Sequence, residues 1–263
     1  MGRVLAISSH VARGTVGLGL TVPALQALGH EIWPIPTILL ASRPGLGLLA
    51  KHDVPPDAIQ RMLAALEADG CWPTLDAVLT GYFPSPRSVE IAAEAIARMR
   101  AAQPDLNVLV DPILGDGGRL YIAEDTAAAI RKKLLPLATI VTPNLFELSW
   151  LTGIAASSAE TIAAAARTLG LGMVVVTSAS HTDEKVSTLL VTRDEVVEQA
   201  FPAHRDIPNG AGDLFAGLLL GHLLHGRAGA PALAATLRDL DPVLAASQGK
   251  SVLQLSALRT GTP

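Results

Sequence analysis

Short apolar runs rich in β-branched residues alternate along this chain with alanine- and leucine-rich stretches of helical period. The segments 3–8 (RVLAIS), 77–82 (AVLTGY), 107–112 (NVLVDP), 139–143 (TIVTP) and 173–179 (MVVVTSA) read as strands. Apolar continuity over so few residues suits strands buried on both faces. Between them the spacing predicts helices over 22–29, 55–70, 86–102, 124–135 and 157–169, several introduced by Pro or closed by Gly. The segment 31–39 holds two prolines and reads as extended. The stretches 187–192 and 195–202 read as an antiparallel pair, followed by helices over 211–226 and 230–248. The longest loop-like connection is 41–54. This alternation predicts an α/β fold with a central, mainly parallel sheet covered on both faces. With no fixed-period repeat or low-complexity linker, residues 1–263 read as a single domain.

Composition supports a globular chain: 49% hydrophobic and 17% charged residues, with a net charge of −4. That balance gives no global attraction to nucleic acid or anionic lipid, so neither partner is expected. Apolar runs are broken by Gly, Pro or charge before reaching the ~18 residues of a membrane span. The start of the chain carries no signal-like apolar region. The only cysteine, Cys71, excludes an intramolecular disulfide framework and fits a cytoplasmic protein.

In a parallel α/β sheet, ligands gather beyond the carboxyl ends of the strands. Those ends carry Ser8-Ser9-His10, Gly81-Tyr82, Asp111-Pro112, Thr142-Pro143-Asn144 with Glu147, and Thr177-Ser178. Any one of them can simply cap the next helix; together they outline a polar site. His10 is expected as a buried, satisfied histidine. Asp111 and Glu147 leave neighbouring strands, and a carboxylate pair beside phosphates suits Mg2+. The segment NGAGD sets Gly210, Ala211 and Gly212 before an apolar helix, where successive N–H groups and the helix dipole form an anion cradle. Asp213 in that first turn can be a dipole partner, or a base taking the proton of an alcohol that attacks phosphorus. The P-loop signature is absent. The glycines of HVARGTVGLG, residues 10–19, miss the dinucleotide spacing, and G-x-S-x-G is missing as well.

The blocks AISSHVARGTVG, LTGYFPSP, VDPILGDGGRLYIAED, VTPNLFELSWLTG, VVVTSA and NGAGDLFAGLLL, in this order over residues 6–220, resemble the pyridoxal kinases of the ribokinase-like superfamily. The resemblance implies a three-layer α/β/α fold with eight or nine strands. It implies ATP-dependent phosphorylation of a hydroxymethyl group on a pyridine ring, with Mg2+, a place for a monovalent cation such as K+, and a homodimer. Asp213 would then be the base and Gly210, Ala211 and Gly212 the anion hole. Asp111, Tyr121, Thr142, Asn144, Glu147, Thr177 and Ser178 would surround ATP, with Asp111 and Glu147 on the metal. Ser9, Val16, Ile38 and Tyr82 would line the vitamin pocket. Two departures stand out. The family's Val-Gln-Phe-Ser-Asn-His-Thr lid is here ILLASRPG, residues 38–45, with Leu40, Ser42 and Arg43 replacing its aromatic, amide and imidazole. The family's Gly-Thr-Gly-Asp is here Gly-Ala-Gly-Asp. A hydroxymethylpyrimidine kinase of the same superfamily, or a pyridoxal phosphate-binding protein without activity, are the alternatives.

Overall fold

The computed structural model describes residues 1–43, 45–46 and 50–259. The first layer of order is β1 (Arg3–Arg13), α1 (Leu18–Ala27), β2 (Glu31–Ser42), the short β3 (Lys51–Asp53) and α2 (Pro56–Ala68). Then follow β4 (Ala77–Thr80), α3 (Pro86–Ala102), β5 (Asn107–Val110) and a small hairpin, β6 (Gly115–Asp116) with β7 (Arg119–Leu120). The chain continues through α4 (Glu124–Ala129), β8 (Ile140–Val141), α5 (Leu145–Thr152), α6 (Ala159–Arg167) and β9 (Met173–His181). It ends with β10 (Lys185–Val191), β11 (Val196–Pro202), α7 (Ala211–Leu224) and α8 (Gly229–Ser247).

Nine strands form one sheet in the order β11-β10-β9-β8-β5-β4-β1-β2-β3. Pairings from β2 through β9 are parallel, and the pairs β9–β10, β10–β11 and β2–β3 are antiparallel. Period-two alternation, hidden in the sequence by strands buried on both sides, divides two cores. Leu5, Ile7, Val78, Val108, Val110 and Val176 face one side, while Val4, Leu79, Leu109 and Val175 join α7 and α8 residues on the other. The three-layer α/β/α expectation holds.

The differences from the sequence reading have local causes. β1 and β2 run past their expected ends at residues 8 and 39. Beyond Ile7, β1 loses β4 and pairs only with β2, through a bulge between Ser8 and His10, as far as Arg13 opposite Ser42. The two strands thus project as a ribbon over the carboxyl edge of the sheet. Because one face of this ribbon is open, its polar residues broke the apolar continuity that marks the inner strands. The stretch 41–54 is less loop-like than expected, since Lys51–Asp53 pairs with Ile38–Leu40; Pro44, within 38–45, lies outside the described residues. α5 was hidden inside an apolar run. It begins with a capping box in which Asn144 and Glu147 exchange backbone N–H bonds. The predicted helix 124–135 loosens after Ala129 into a π-turn and a 3-10 turn. No helix among the described residues is long and apolar enough to cross a membrane.

Helix α7 carries NGAGD at one end and is pinned to α8 at the other. Arg227 donates to His222 Nδ1 at 2.8 Å, so the opposite nitrogen carries the proton and donates to Asp239 Oδ2 at 2.9 Å. Arg238 Nε donates to the second oxygen of Asp239 at 2.8 Å. His222 and Asp239 are fully buried. Asp239→Ala leaves a buried imidazole N–H unpaired and is expected to cost about 1–3 kcal/mol, measured by urea denaturation; no change in midpoint would contradict this assignment.

Candidate active site

The strands end on one side of the sheet, and the loops leaving them build a polar floor. Asp111, directly after β5, is buried, and Thr142 Oγ1, after β8, donates to its Oδ1 at 3.1 Å. Glu147 sits in the first turn of α5. Its Oε1 accepts the backbone N–H groups of Leu114 at 2.7 Å and Gly115 at 3.4 Å, and its Oε2 accepts that of Asn144 at 2.9 Å. Asn144 in turn donates through Nδ2 to the Gly115 carbonyl at 2.8 Å. The buried carboxylate therefore locks the approach to the β6–β7 hairpin onto the start of α5. Thr177 extends the β8–β9 pairing through a bridge to Asn144, and the exposed Ser178 follows with a left-handed backbone, φ 50°.

The opposite wall is the start of α7. Gly210 has φ 115°, and a side chain there would collide with the Thr15 carbonyl and with Leu20. Only glycine fits this turn. The first N–H groups of α7 have no carbonyl of their own helix to bond and face outward beside Ala211 and the exposed Gly212. The Gly17 backbone N–H lies near Asp213 in that turn and favours its charged form. Gly17 is tightly constrained as well, with φ 55° and a missing Cβ whose place is filled by the Ser9 carbonyl and hydroxyl.

Three carboxylates thus share the site, and their environments raise all three. Burial pushes Asp213 up to about 6, against the opposing Gly17 bond. Burial likewise lifts Glu147 to about 7, although three backbone N–H groups favour its charged form. Asp111 stands well above the usual carboxylate range, first through burial, then through the charges of Glu147 and Asp213. The repulsion that Glu147 and Asp213 exert on Asp111 marks a place that favours a cation.

The candidates for the vitamin pocket belong to the β1–α1 loop, β2 and the residues after β4: Ile38 is buried, and Val16 and Tyr82 are half-buried. Tyr82 is set by its own backbone: its N–H donates to Ser8 Oγ at 3.1 Å, and its carbonyl accepts from Thr37 Oγ1 at 2.7 Å. Burial raises the phenol, and the Asp53 carboxylate adds to that. Ser9 is buried beside Gly17. Tyr121 stands apart, 59% exposed at the end of the β6–β7 hairpin, though its phenol feels Asp116 and Glu147. His10 is exposed rather than buried, because it points off the open face of the ribbon. Among the described residues no cluster of three or more His, Cys, Asp or Glu could hold a metal ion by itself.

Thr15 and Gly17 were not among the sequence candidates. Their signal lies in the glycines of residues 10–19, which miss the dinucleotide spacing but allow the close approach of this loop to Ser9 and α7. Arg43 donates from Nε and Nη2 to the Ser251 carbonyl, at 3.3 and 2.7 Å.

A sheet of this order, with acids at the carboxyl edge and a glycine-opened helix facing them, is the ribokinase-like α/β fold. The family described as phosphomethylpyrimidine kinase matches residues 22–238, and this chain belongs to it. The pyridoxine/pyridoxal/pyridoxamine kinase of Bordetella bronchiseptica is 38% identical over 234 residues, covering 85% of this chain and 82% of that protein. Among solved structures, the pyridoxal kinase of Leishmania donovani in complex with ADP and pyridoxine superposes with a TM-score of 0.87 at 29% identity, covering 98% of this chain and 92% of that one. A putative phosphomethylpyrimidine kinase of Bacteroides thetaiotaomicron, in a crystal form with pyridoxal, superposes with a TM-score of 0.84 at 27% identity, covering 92% and 87%.

The raised Asp213 has a stability consequence. Its folded pKa of about 6 lies above the model-peptide value of 3.8, so its ionisation is costlier in the folded state than in the unfolded one. The cost is absent below the unfolded value and grows as pH rises to about 6. Asp213→Asn should therefore gain thermal stability relative to the natural protein as pH increases over that window. A difference in melting temperature that stays flat, or shrinks with pH, would contradict the assignment.

Proposed function

We propose that this protein transfers the γ-phosphoryl group of ATP to the hydroxymethyl group of pyridoxal, giving pyridoxal 5′-phosphate and ADP. The observation that carries the proposal is the placing of a raised Asp213 in the first turn of α7, after the glycine-opened turn at Gly210 and facing the acids at the strand ends. The relatives named as vitamin B6 kinases, and the neighbour holding ADP and pyridoxine, support the same chemistry.

Asp213 takes the proton of the substrate alcohol as its oxygen attacks the γ-phosphorus. The bond between that phosphorus and the β,γ-bridging oxygen breaks, and ADP leaves with the electron pair. Backbone N–H groups of Gly210, Ala211 and Gly212 stabilise the charge on the transferring group. Replacing threonine by Ala211 leaves this cradle intact because it is built from backbone. Asp111, Thr142, Asn144, Thr177 and Ser178 face the nucleotide, and Tyr121 covers it from the β6–β7 hairpin. Ser9 Oγ hydrogen-bonds the ring, which lies against Val16, Ile38 and Tyr82.

The three raised carboxylates, with Asp111 repelled by the other two, fit Mg2+. Asp111, with one oxygen beyond its Thr142 bond, would hold the ion, and Glu147, with a lone pair left on Oε2, would reach it directly or through water. When bound, the ion supplies charge neutralisation for the phosphates. The same negative floor suits a monovalent cation such as K+. We further infer one kinase domain over residues 1–263, since both cores share one sheet, acting in the cytoplasm as a homodimer.

The direct test is ADP release from Mg-ATP with pyridoxal or with hydroxymethylpyrimidine. The expected result is a higher kcat/KM for pyridoxal. Turnover of the pyrimidine alone would keep Asp213 as base and move the substrate; tight pyridoxal phosphate binding without any turnover would replace the kinase by a binding protein. Asp213→Ala should lower kcat by about 10²- to 10⁴-fold while ATP still binds, and unaltered turnover would remove Asp213 from the mechanism.

A further inference from the structure

The ribbon of β1 and β2 ends in a clasp that reaches the proposed base, Asp213, through four short connections. At its tip the Arg43 N–H donates to the Arg13 carbonyl at 3.1 Å, closing the pairing. The Arg43 stem passes over Gly14, and its guanidinium grips the Ser251 carbonyl with two nitrogens. Two residues further on, Leu253 N–H donates to Thr15 Oγ1 at 3.1 Å. The Thr15 carbonyl packs against Gly210, three residues before Asp213, and the Gly17 backbone N–H lies near that carboxylate. Lid, C-terminal strap, β1–α1 loop and cradle are therefore linked in series.

The strap is firmly held from beneath, which lets it transmit position. Leu253 is buried in the core beside α8. Gln254 N–H donates to Ser247 Oγ at 2.8 Å, and Gly249 N–H to the Asp206 carbonyl at 3.1 Å. Asp206 belongs to the segment that leads into the cradle. A bidentate guanidinium on one carbonyl restricts direction as well as distance, which a single ammonium donor does less well.

We propose that Arg43 is a positioning residue for phosphoryl transfer: by clasping the ribbon to the strap at Ser251, it fixes the loop of Thr15 and Gly17 and, through it, the aim of Asp213. The proposal rests on the kinase reading, but one of its tests does not. Arg43 touches neither the cradle nor Asp213 itself, so its influence travels through Thr15. A misplaced base lowers turnover more than binding.

Hydrogen exchange on the protein without substrates tests the linkage alone. In Arg43→Ala, peptides covering residues 14–21 and 251–255 are expected to exchange faster, while the remote helix 159–167 does not change. Unchanged exchange in the first two peptides would overturn the linkage, whatever the substrate proves to be. Steady-state kinetics test the consequence. Arg43→Ala should lower kcat roughly tenfold with the KM for ATP held within about twofold, and Arg43→Lys should recover part of the loss. Thr15→Val, which removes the acceptor of Leu253, should reproduce the defect. The double variant should be no worse than the poorer single one, because both cut the same series. Effects that multiply, or an unaltered kcat in Arg43→Ala, would overturn the proposal. Should Arg43→Ala fail to fold, Arg43→Lys and Thr15→Val carry the same comparisons.

Discussion

The contact between the β1–α1 loop and the first turn of α7 governs the rest of the site. Gly17 needs a positive φ to sit against Ser9 with its N–H near Asp213, and Gly210 needs one to lie against the Thr15 carbonyl. Neither position tolerates a side chain. The loop leaves β1 and α7 packs on α1, so the core holds two segments distant along the chain against each other. The proposed anion cradle and base both depend on that single meeting.

Charge sets the second constraint. Placing three carboxylates at adjoining strand ends costs folding stability, because burial disfavours their ionised forms and the charges of Glu147 and Asp213 add to this at Asp111. The structure offsets part of this with three backbone donors on Glu147, the nearby Gly17 N–H at Asp213 and the Thr142 hydroxyl on Asp111. A bound cation would relieve the remainder. Glu147 does two jobs under this arrangement: it contributes negative charge, and it fastens the 114–115 backbone to α5.

Much of this was legible in the sequence. Continuous apolar strands gave the parallel centre of the sheet, and the position of each acid after its strand followed from the topology of such sheets. NGAGD announced its own turn because glycine on both sides of one alanine has few other uses before a helix. What stayed hidden depends on contacts distant along the chain. The extension of β1 to Arg13 is stabilised by β2 alone, so no local pattern marks it. The partnership of Gly17 with Asp213 spans most of the chain. The exposure of His10 follows from which face of the ribbon is open, and the Arg43 guanidinium meets the Ser251 carbonyl, more than 200 residues on, only in the folded chain.

The pH dependence of kcat/KM for pyridoxal, followed from about pH 5 to about pH 7.5 at limiting ATP, tests the central claim most directly. If the half-buried Asp213 must lose its proton before it can accept another, the value should climb about tenfold per unit and level off above about 6, the position desolvation gives that carboxyl. A profile flat across this range, or one that falls as the pH rises, would contradict Asp213 as the base.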